Sequence, residues 1–321
     1  MKLSAAVLKF PWFNRDQEVS DREKSVPRLG LCLSSGGARG LAHAGVIQVL
    51  EEAGVPISAI AGTSMGAYVG SLVAAGLHYP DLYKLAAEIP DRRTLLRLLD
   101  PVIPPSAGLI KGEKMRLHLE RTLGKLTFSE LAIPLYVVAT NLDTLAPRVF
   151  ESGPVAEAVH ASAAIPGVFA PVTLDGSRYT DGGACDPLPV STLRKHADVD
   201  FIIAVNVVPD YSPPPPVKSR WNPCRWLNLL ASGNVMDTFN RALMSAQRRL
   251  VAKECECADV VIHPQVPGSK WYDYEHFEDY IRAGREAARA ALPQILALLN
   301  PQPPTCHEPS PHHPLMGNRA A

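Results

Sequence analysis

The chain has 321 residues, 46% of them hydrophobic and 20% charged, enough apolar material for one large α/β domain or two small ones. Its 32 basic and 32 acidic residues cancel to a formal net charge of zero. That balance provides no overall attraction to polyanions and argues against nucleic-acid binding.

Residues 1–27 read as a polar N-terminal extension. Within it, Leu3 to Phe13 is mainly apolar, but Lys9 and Pro11 break the run and no small-residue cleavage site follows, so no secretory signal is expected. The stretch is a candidate for shallow docking at a membrane surface, or equally a disordered leader. The first convincing strand is Leu29-Gly-Leu-Cys-Leu33, apolar on both faces as a helix-covered parallel strand requires. Leu41, Ala44, Ile47 and Leu50 then recur at spacing three up to the stop signal Gly54, which predicts a helix.

A second strand, tight turn and helix are predicted at Pro56 to Ala61, Gly62 to Gly66 and Ser64 to Ala75. The uncharged run from Ala53 to Pro80 is too rich in glycine, serine and threonine for a membrane span and reads as a buried strand and a buried helix. Helices are expected near Asp81 to Leu99 and Glu113 to Leu123, with a strand at Leu135 to Thr140. Asp175-Gly176 turns a hairpin between Val172–Leu174 and Arg178–Tyr179, and Phe201 to Val207 is a further apolar strand. Four prolines, Pro213 to Pro216, make Tyr211 to Cys224 an extended loop, followed by helices at Trp226 to Val251 and Glu275 to Leu299 and a short strand at Val260 to Ile262. The tail 300–321 lacks a core-forming pattern and is expected to be disordered. Strands alternating with helices predict an α/β fold: a three-layer sandwich around a mostly parallel central sheet.

The six cysteines form no CxxC pair, so reduced thiols in a cytoplasmic protein are expected. Cys255, Cys257 and His263 are too sparse for a structural zinc site, and His307, His312 and His313 in the tail read as incidental. No metal and no cofactor is expected.

Three segments carry chemistry. Gly62-Thr-Ser-Met-Gly66 is a GxSxG pentapeptide between a predicted strand and helix, the context of a nucleophile elbow, in which a strained turn exposes the serine and small flanking residues let strand and helix approach. The helix behind it turns N–H groups and the positive dipole end toward developing negative charge. A serine N-cap between packing glycines is the plainer alternative. Ser34-Ser-Gly-Gly-Ala-Arg-Gly40 lies in a similar strand-to-helix context, where successive glycines turn backbone N–H groups toward one point as an anion cradle. A dinucleotide fingerprint would need glycine at position 35, which is serine, and an acidic strand end some 20 residues on. In a hydrolase the cradle would be an oxyanion hole, with Arg39 adding a fixed charge or organising the loop. Asp181-Gly-Gly183 follows the hairpin and by itself is an ordinary turn signal.

Together these blocks resemble the patatin-like phospholipase family, in particular its short bacterial members. The resemblance runs from about Leu29 to Asp210 and more weakly to Leu299. It rests on Gly36-Gly-Ala-Arg-Gly40 with His43 and Gly45, Gly62-Thr-Ser-Met-Gly66, Ala161-Ser-Ala-Ala-Ile-Pro-Gly167 with Ala170-Pro171, and Asp181-Gly-Gly-Ala-Cys-Asp-Pro187. It implies a hydrolase domain over 28–299, with a motif-bearing core at 29–210 and a helical part at 225–299. It also implies Ser64 as nucleophile, Asp181 as general base, and an oxyanion hole from Gly36, Gly37, Ala38 and Arg39, with Gly40, Gly62, Gly66, Gly182 and Gly183 as supporting positions. The implied substrate is a lipid or other acyl ester, reached by peripheral membrane contact. Ser34 and Ser35 replace glycines common in the family, and Asp-Gly-Gly stands where Asp-Gly-Ala is also frequent. An aspartate base needs a partly dry site, to which Met65 could contribute. Two alternatives remain open from the residues: a Ser-Asp-His triad using His196, His263 or His276, and a low-turnover lipid-binding module. Ser106 to Lys111 and Tyr211 to Cys224 are candidate lids.

Overall fold

The computed structural model describes residues 27–88, 100–101, 108–210, 235–266 and 269–300. Residues 1–26, residues 89–99 of the helix expected to reach Leu99, the first two residues (106 and 107) of the first candidate lid, the proline loop and residues 301–321 of the tail lie outside the described residues.

Leu29–Leu33 forms β1, buried at every position, and is followed by a short 3-10 turn at Gly37–Leu41 and by α1, Ala42–Glu52. Next come β2 (Ile57–Thr63) and α2 (Met65–Ala74), so the uncharged run is a buried strand and a buried helix as its composition suggested. The chain continues through α3 (Tyr79–Ala87), α4 (Glu113–Leu123), β3 (Leu135–Asn141), β4 (Ala146–Phe150) and α5 (Val155–Ser162). The hairpin is β5 (Val172–Leu174) with β6 (Ser177–Asp181), and α6 (Val190–His196) precedes β7 (Phe201–Val205). Last come α7 (Val235–Glu256), β8 (Val260–Ile262) and α8 (Phe277–Leu299). β4, α5 and α6 were not expected from the sequence: β4 is largely exposed, and α5 and α6 are only eight and seven residues long. Among the described residues no helix is long and apolar enough to cross a membrane.

The strands form one sheet in the order β5-β6-β3-β2-β1-β7-β8, with β4 also pairing with β3. The five strands from β3 to β8 run parallel, whereas β4, β5 and β6 are antiparallel additions at one side. Alternation along β1 separates two cores. Leu29, Leu31 and Leu33 face a large cluster with Ile47 of α1, Leu72 of α2 and Ile281 of α8. Cys32 faces the other side, with Leu193 of α6 and Val251 of α7. Apolar residues on both faces of one strand therefore produce the three layers.

The order reverses at β1. From β1 the chain steps toward β2 and β3, while β7 and β8 lie on the opposite side. Such a switch point leaves a crevice beyond the carboxyl ends of the strands, the usual place for a ligand in an open α/β sheet.

Candidate active site

At the end of β2 the chain turns through Ser64 with φ 56° and ψ −120°, a conformation that a residue with a Cβ rarely holds. The two glycines of the pentapeptide make this turn possible. A Cβ on Gly62 would lie 2.6 Å from the Gly66 carbonyl oxygen, and one on Gly66 would lie 2.1 Å from that of Leu33. Helix α2 can thus start directly against the end of β1 only because both positions are bare.

The strained turn is tied from below. The backbone N–H of Ser64 donates to the Ser162 hydroxyl at 2.8 Å, and that hydroxyl donates to the Val138 carbonyl at 2.5 Å. Ser162 is the last residue of α5 and is fully buried. Its segment carries part of the family resemblance, but no role for Ser162 is apparent from the sequence. The signal was a serine set among small residues, between Ala161 and Ala163-Ala164.

The same segment positions Asp181. The Ala164 carbonyl accepts from the Asp181 N–H at 2.8 Å and from the Thr180 hydroxyl at 2.6 Å. After Asp181 the chain crosses over β3, where a Cβ on Gly182 would lie 2.2 Å from the Val138 carbonyl oxygen, so glycine is required. Ser64 Oγ then donates to Asp181 Oδ2 at 2.5 Å, and the Gly183 N–H donates to Oδ1 at 2.7 Å. Both residues of the pair are buried. Burial pushes the Asp181 carboxyl up to about 6, against the opposing effect of the hydrogen bonds from Ser64 and Gly183. The carboxylate is therefore mostly ionised at neutral pH yet poised to accept a proton.

The glycine loop after β1 is held equally firmly. Val207 N–H donates to the Ser34 hydroxyl at 2.9 Å, and the Ser35 N–H donates to the Pro187 carbonyl at 2.8 Å. The two serines that depart from the family pattern are buried, and these bonds fasten the loop to its neighbours. The Ser34 carbonyl can only accept, so His43 Nε2, 2.9 Å away, is the protonated nitrogen. Burial depresses that imidazole to about 4, which keeps it neutral. Arg39 is buried and its Nε donates to the Gly36 carbonyl at 3.2 Å. Desolvation lowers its guanidinium to about 10, so it remains a cation at neutral pH. Met65 packs against Gly40, where a Cβ would meet its side chain.

Of the amides expected to face developing charge, that of Ala38 is engaged: it donates to the Trp271 carbonyl at 2.7 Å. Gly37, at φ 58°, lies so close to this carbonyl that a Cβ would stand 2.3 Å from its oxygen. Trp271 therefore packs directly on the loop, a contact that nothing in the local sequence foretold.

Ser64, Asp181, Gly36, Gly37 and Arg39 line one cavity of about 70 Å³. Asn240, Leu243, Met244 and Gln247 of α7, with Trp271, form its far wall. The histidines considered for a triad lie elsewhere. His196 Nδ1 is 3.4 Å from Glu151, His276 sits between Asp273 and Asp279, and His263 borders a different cavity. Cys32, Cys185, Cys255 and Cys257 are unpaired thiols.

A patatin-like phospholipase model matches residues 31–194, a segment that holds Ser64, Asp181, Ser162, Ala164 and the glycine loop but not Val207, α7 or Trp271. An uncharacterized NTE family protein of Mycobacterium tuberculosis is 44% identical over 186 residues, 58% of this chain and 51% of that protein. The lysophospholipase nte1 of Aspergillus fumigatus is 32% identical over 206 residues, 61% of this chain and 14% of that protein. The chain thus spans about half the length of the mycobacterial relative and a small part of the fungal one. Among solved structures, VipD from Legionella pneumophila aligns with a TM-score of 0.48 at 15% identity, covering 84% of this chain and 67% of that one.

Proposed function

The chain belongs to the patatin-like phospholipase family, and we propose that it hydrolyses acyl esters of phospholipids or lysophospholipids with a Ser64–Asp181 dyad. The observation that carries the proposal is the 2.5 Å contact from a buried serine hydroxyl at a strained strand-to-helix turn to a buried carboxylate with a raised pKa. A strained nucleophile next to a dry, ionisable base is the arrangement that acyl transfer needs. Similarity to a lysophospholipase supports a lipid ester as the substrate class.

In the proposed cycle, Asp181 Oδ2 takes the Ser64 proton as Oγ attacks the ester carbonyl carbon. The carbonyl π electrons move to oxygen, and the resulting oxyanion is met by the amides of Gly36 and Gly37, by the Arg39 cation and by the positive end of α2. Ala38, whose amide already serves Trp271, supports the loop and is left out of the hole. Collapse breaks the bond to the leaving alcohol, which recovers the proton from Asp181. Water then attacks the acyl carbon as Asp181 takes its proton, the bond from that carbon to Ser64 Oγ breaks, and Oγ recovers the proton from Asp181 as the fatty acid leaves.

The wall of α7 and Trp271 confines the cavity to about 70 Å³, room for a reacting group but not for an acyl chain. Substrate entry in this scheme moves α7 or the Trp271 segment aside. We assign the activity to residues 28–299 acting as one unit. The test is labelling with a serine-directed fluorophosphonate, followed by an activity panel of phospholipids, lysophospholipids and acyl thioesters. Ser64 should carry the label, and Ser64→Ala should lower hydrolysis by about 10³-fold or more. An unlabelled Ser64, or a variant as active as the parent, would sink the proposal.

A further inference from the structure

Beyond β7 and β8 lies a second cavity of about 630 Å³, well within the size range of small-molecule sites. Its floor is the carboxyl ends of those strands, through Asn206, Val208 and His263, and its wall is α7. On α7, Arg241, Ser245, Arg248 and Ala252 recur at helical spacing along one stripe, joined by Arg249 at its side. Among the described residues, three arginines thus line this cavity with one carboxylate, that of Asp210.

Several arginines elsewhere in the fold are paired with carboxylates, and Arg241 of the cavity is itself engaged. Arg28 pairs with Asp198, Arg116 with Glu113, Arg178 with Asp143, Arg194 with Asp259 and Arg282 with Asp279. Arg248 and Arg249 have no ion pair with any described carboxylate, and both are exposed to the cavity they line. Asn206 adds a polar group: its Oδ1 accepts from the Val208 N–H, which directs its NH2 to serve as a donor. Planar guanidinium forks with hydroxyl and amide donors are a donor set suited to phosphate oxygens.

Position strengthens the assignment. The cavity sits beside the reversal of strand order, on the opposite side of the Val207 segment from the glycine loop. Val207 itself touches the loop, since a Cβ on Gly36 would meet its Cγ2. Met244 borders both cavities. We infer that this arginine-lined cavity is a binding site for a phosphate-bearing anion, next to the dyad and separate from it. Where the phosphate belongs to the substrate's headgroup, the inference rests on the hydrolase reading above. Where it belongs to a free phosphorylated compound, it does not.

Calorimetry on the full chain with inorganic phosphate and with glycerol 3-phosphate tests the site directly, and hydrolysis of short-chain lysophosphatidate against monoacylglycerol identifies the source. The variants are Arg248→Gln with Arg249→Gln, and the corresponding lysine pair as the charge-retaining control. Binding of both anions to the parent should weaken about tenfold or more in the glutamine pair and be partly kept in the lysine pair. Thermal midpoint and monoacylglycerol turnover should stay unchanged. A matching rise in KM for lysophosphatidate alone identifies a headgroup site, whereas an unchanged KM with lost anion binding identifies a free phosphorylated ligand. Absence of phosphate binding to the parent, equal binding by parent and glutamine pair, or a preference for acetate over phosphate overturns the inference. If no ester is hydrolysed by the parent, the dyad proposal falls while calorimetry still decides this one.

Discussion

Titrating the base gives the sharpest test of the dyad. Asp181 is driven from an ordinary 3.8 up to about 6 by burial, with the Ser64 and Gly183 hydrogen bonds pulling the other way. A base must be ionised to act, so kcat/KM on a soluble ester should follow its deprotonated fraction. With a pKa near 6 that fraction is about 90% at pH 7 and about 10% at pH 5, an approximately tenfold loss of rate. An unperturbed aspartate would lose less than about 10% over the same range. The same shift has a cost in stability. Because the folded state holds this proton more tightly than the unfolded chain, stability is fully present below pH 3.8 and is lost as pH rises toward and through 6. At pH 7 the charged carboxylate therefore costs about 3 kcal/mol. Asp181→Asn, which keeps an acceptor for Gly183, should abolish turnover while raising the thermal midpoint. The neighbouring Asp186 is also pushed up to about 6 by burial, opposed by its bond from Thr192, so its own titration will appear in the stability curve. Asp186→Asn should leave the midpoint of the kcat/KM profile in place. A profile flat down to pH 4.5, or an Asp181→Asn variant that turns over at more than about a tenth of the parental rate, would refute the reasoning.

Other perturbations probe the supports. Ser162→Ala leaves the Ser64 amide without its partner and should lower stability by about 1–3 kcal/mol, with kcat falling more than KM changes in steady-state assays as the serine drifts. Gly37→Ala forces a Cβ against the Trp271 carbonyl and should reduce kcat by about 10²-fold. Gly54→Ala, at a similar φ of 66° but with open space around it, should show only the backbone cost of about 1 kcal/mol in a thermal melt and no loss of kcat. His196→Ala and His276→Ala should each keep activity within about threefold, because neither lines the dyad's cavity; near-complete loss at either would restore the triad.

The local elements of this site were legible in the chain because each is written in short-range sterics. Gly62 and Gly66 announce a turn in which strand, serine and helix crowd together, and Gly36 and Gly37 announce a loop whose backbone must bend against a neighbour. The alternation of apolar residues on β1 and the uncharged run through β2 and α2 likewise show burial on both faces. These signals, with the family blocks, were enough for the fold class, and they single out Ser64 and Asp181 as the pair the proposal rests on. β4, α5 and α6 escaped notice for other reasons: β4 is a largely exposed strand that exists through its pairing with β3, and α5 and α6 are short helices whose buried positions are set by the sheet they pack on.

What only the folded chain decided is which distant groups meet. Register across β2, β3 and β6 carries a carboxylate to a hydroxyl 117 positions away. Ser162 and Ala164 become the ties that hold both, Trp271 takes the Ala38 amide, and α7 divides the reactive cavity from an arginine-lined one. Backbone preferences act over a few residues and leave their mark in the sequence. Contacts between remote segments are selected by the packing of the whole sheet, and therefore become visible only when the chain is folded.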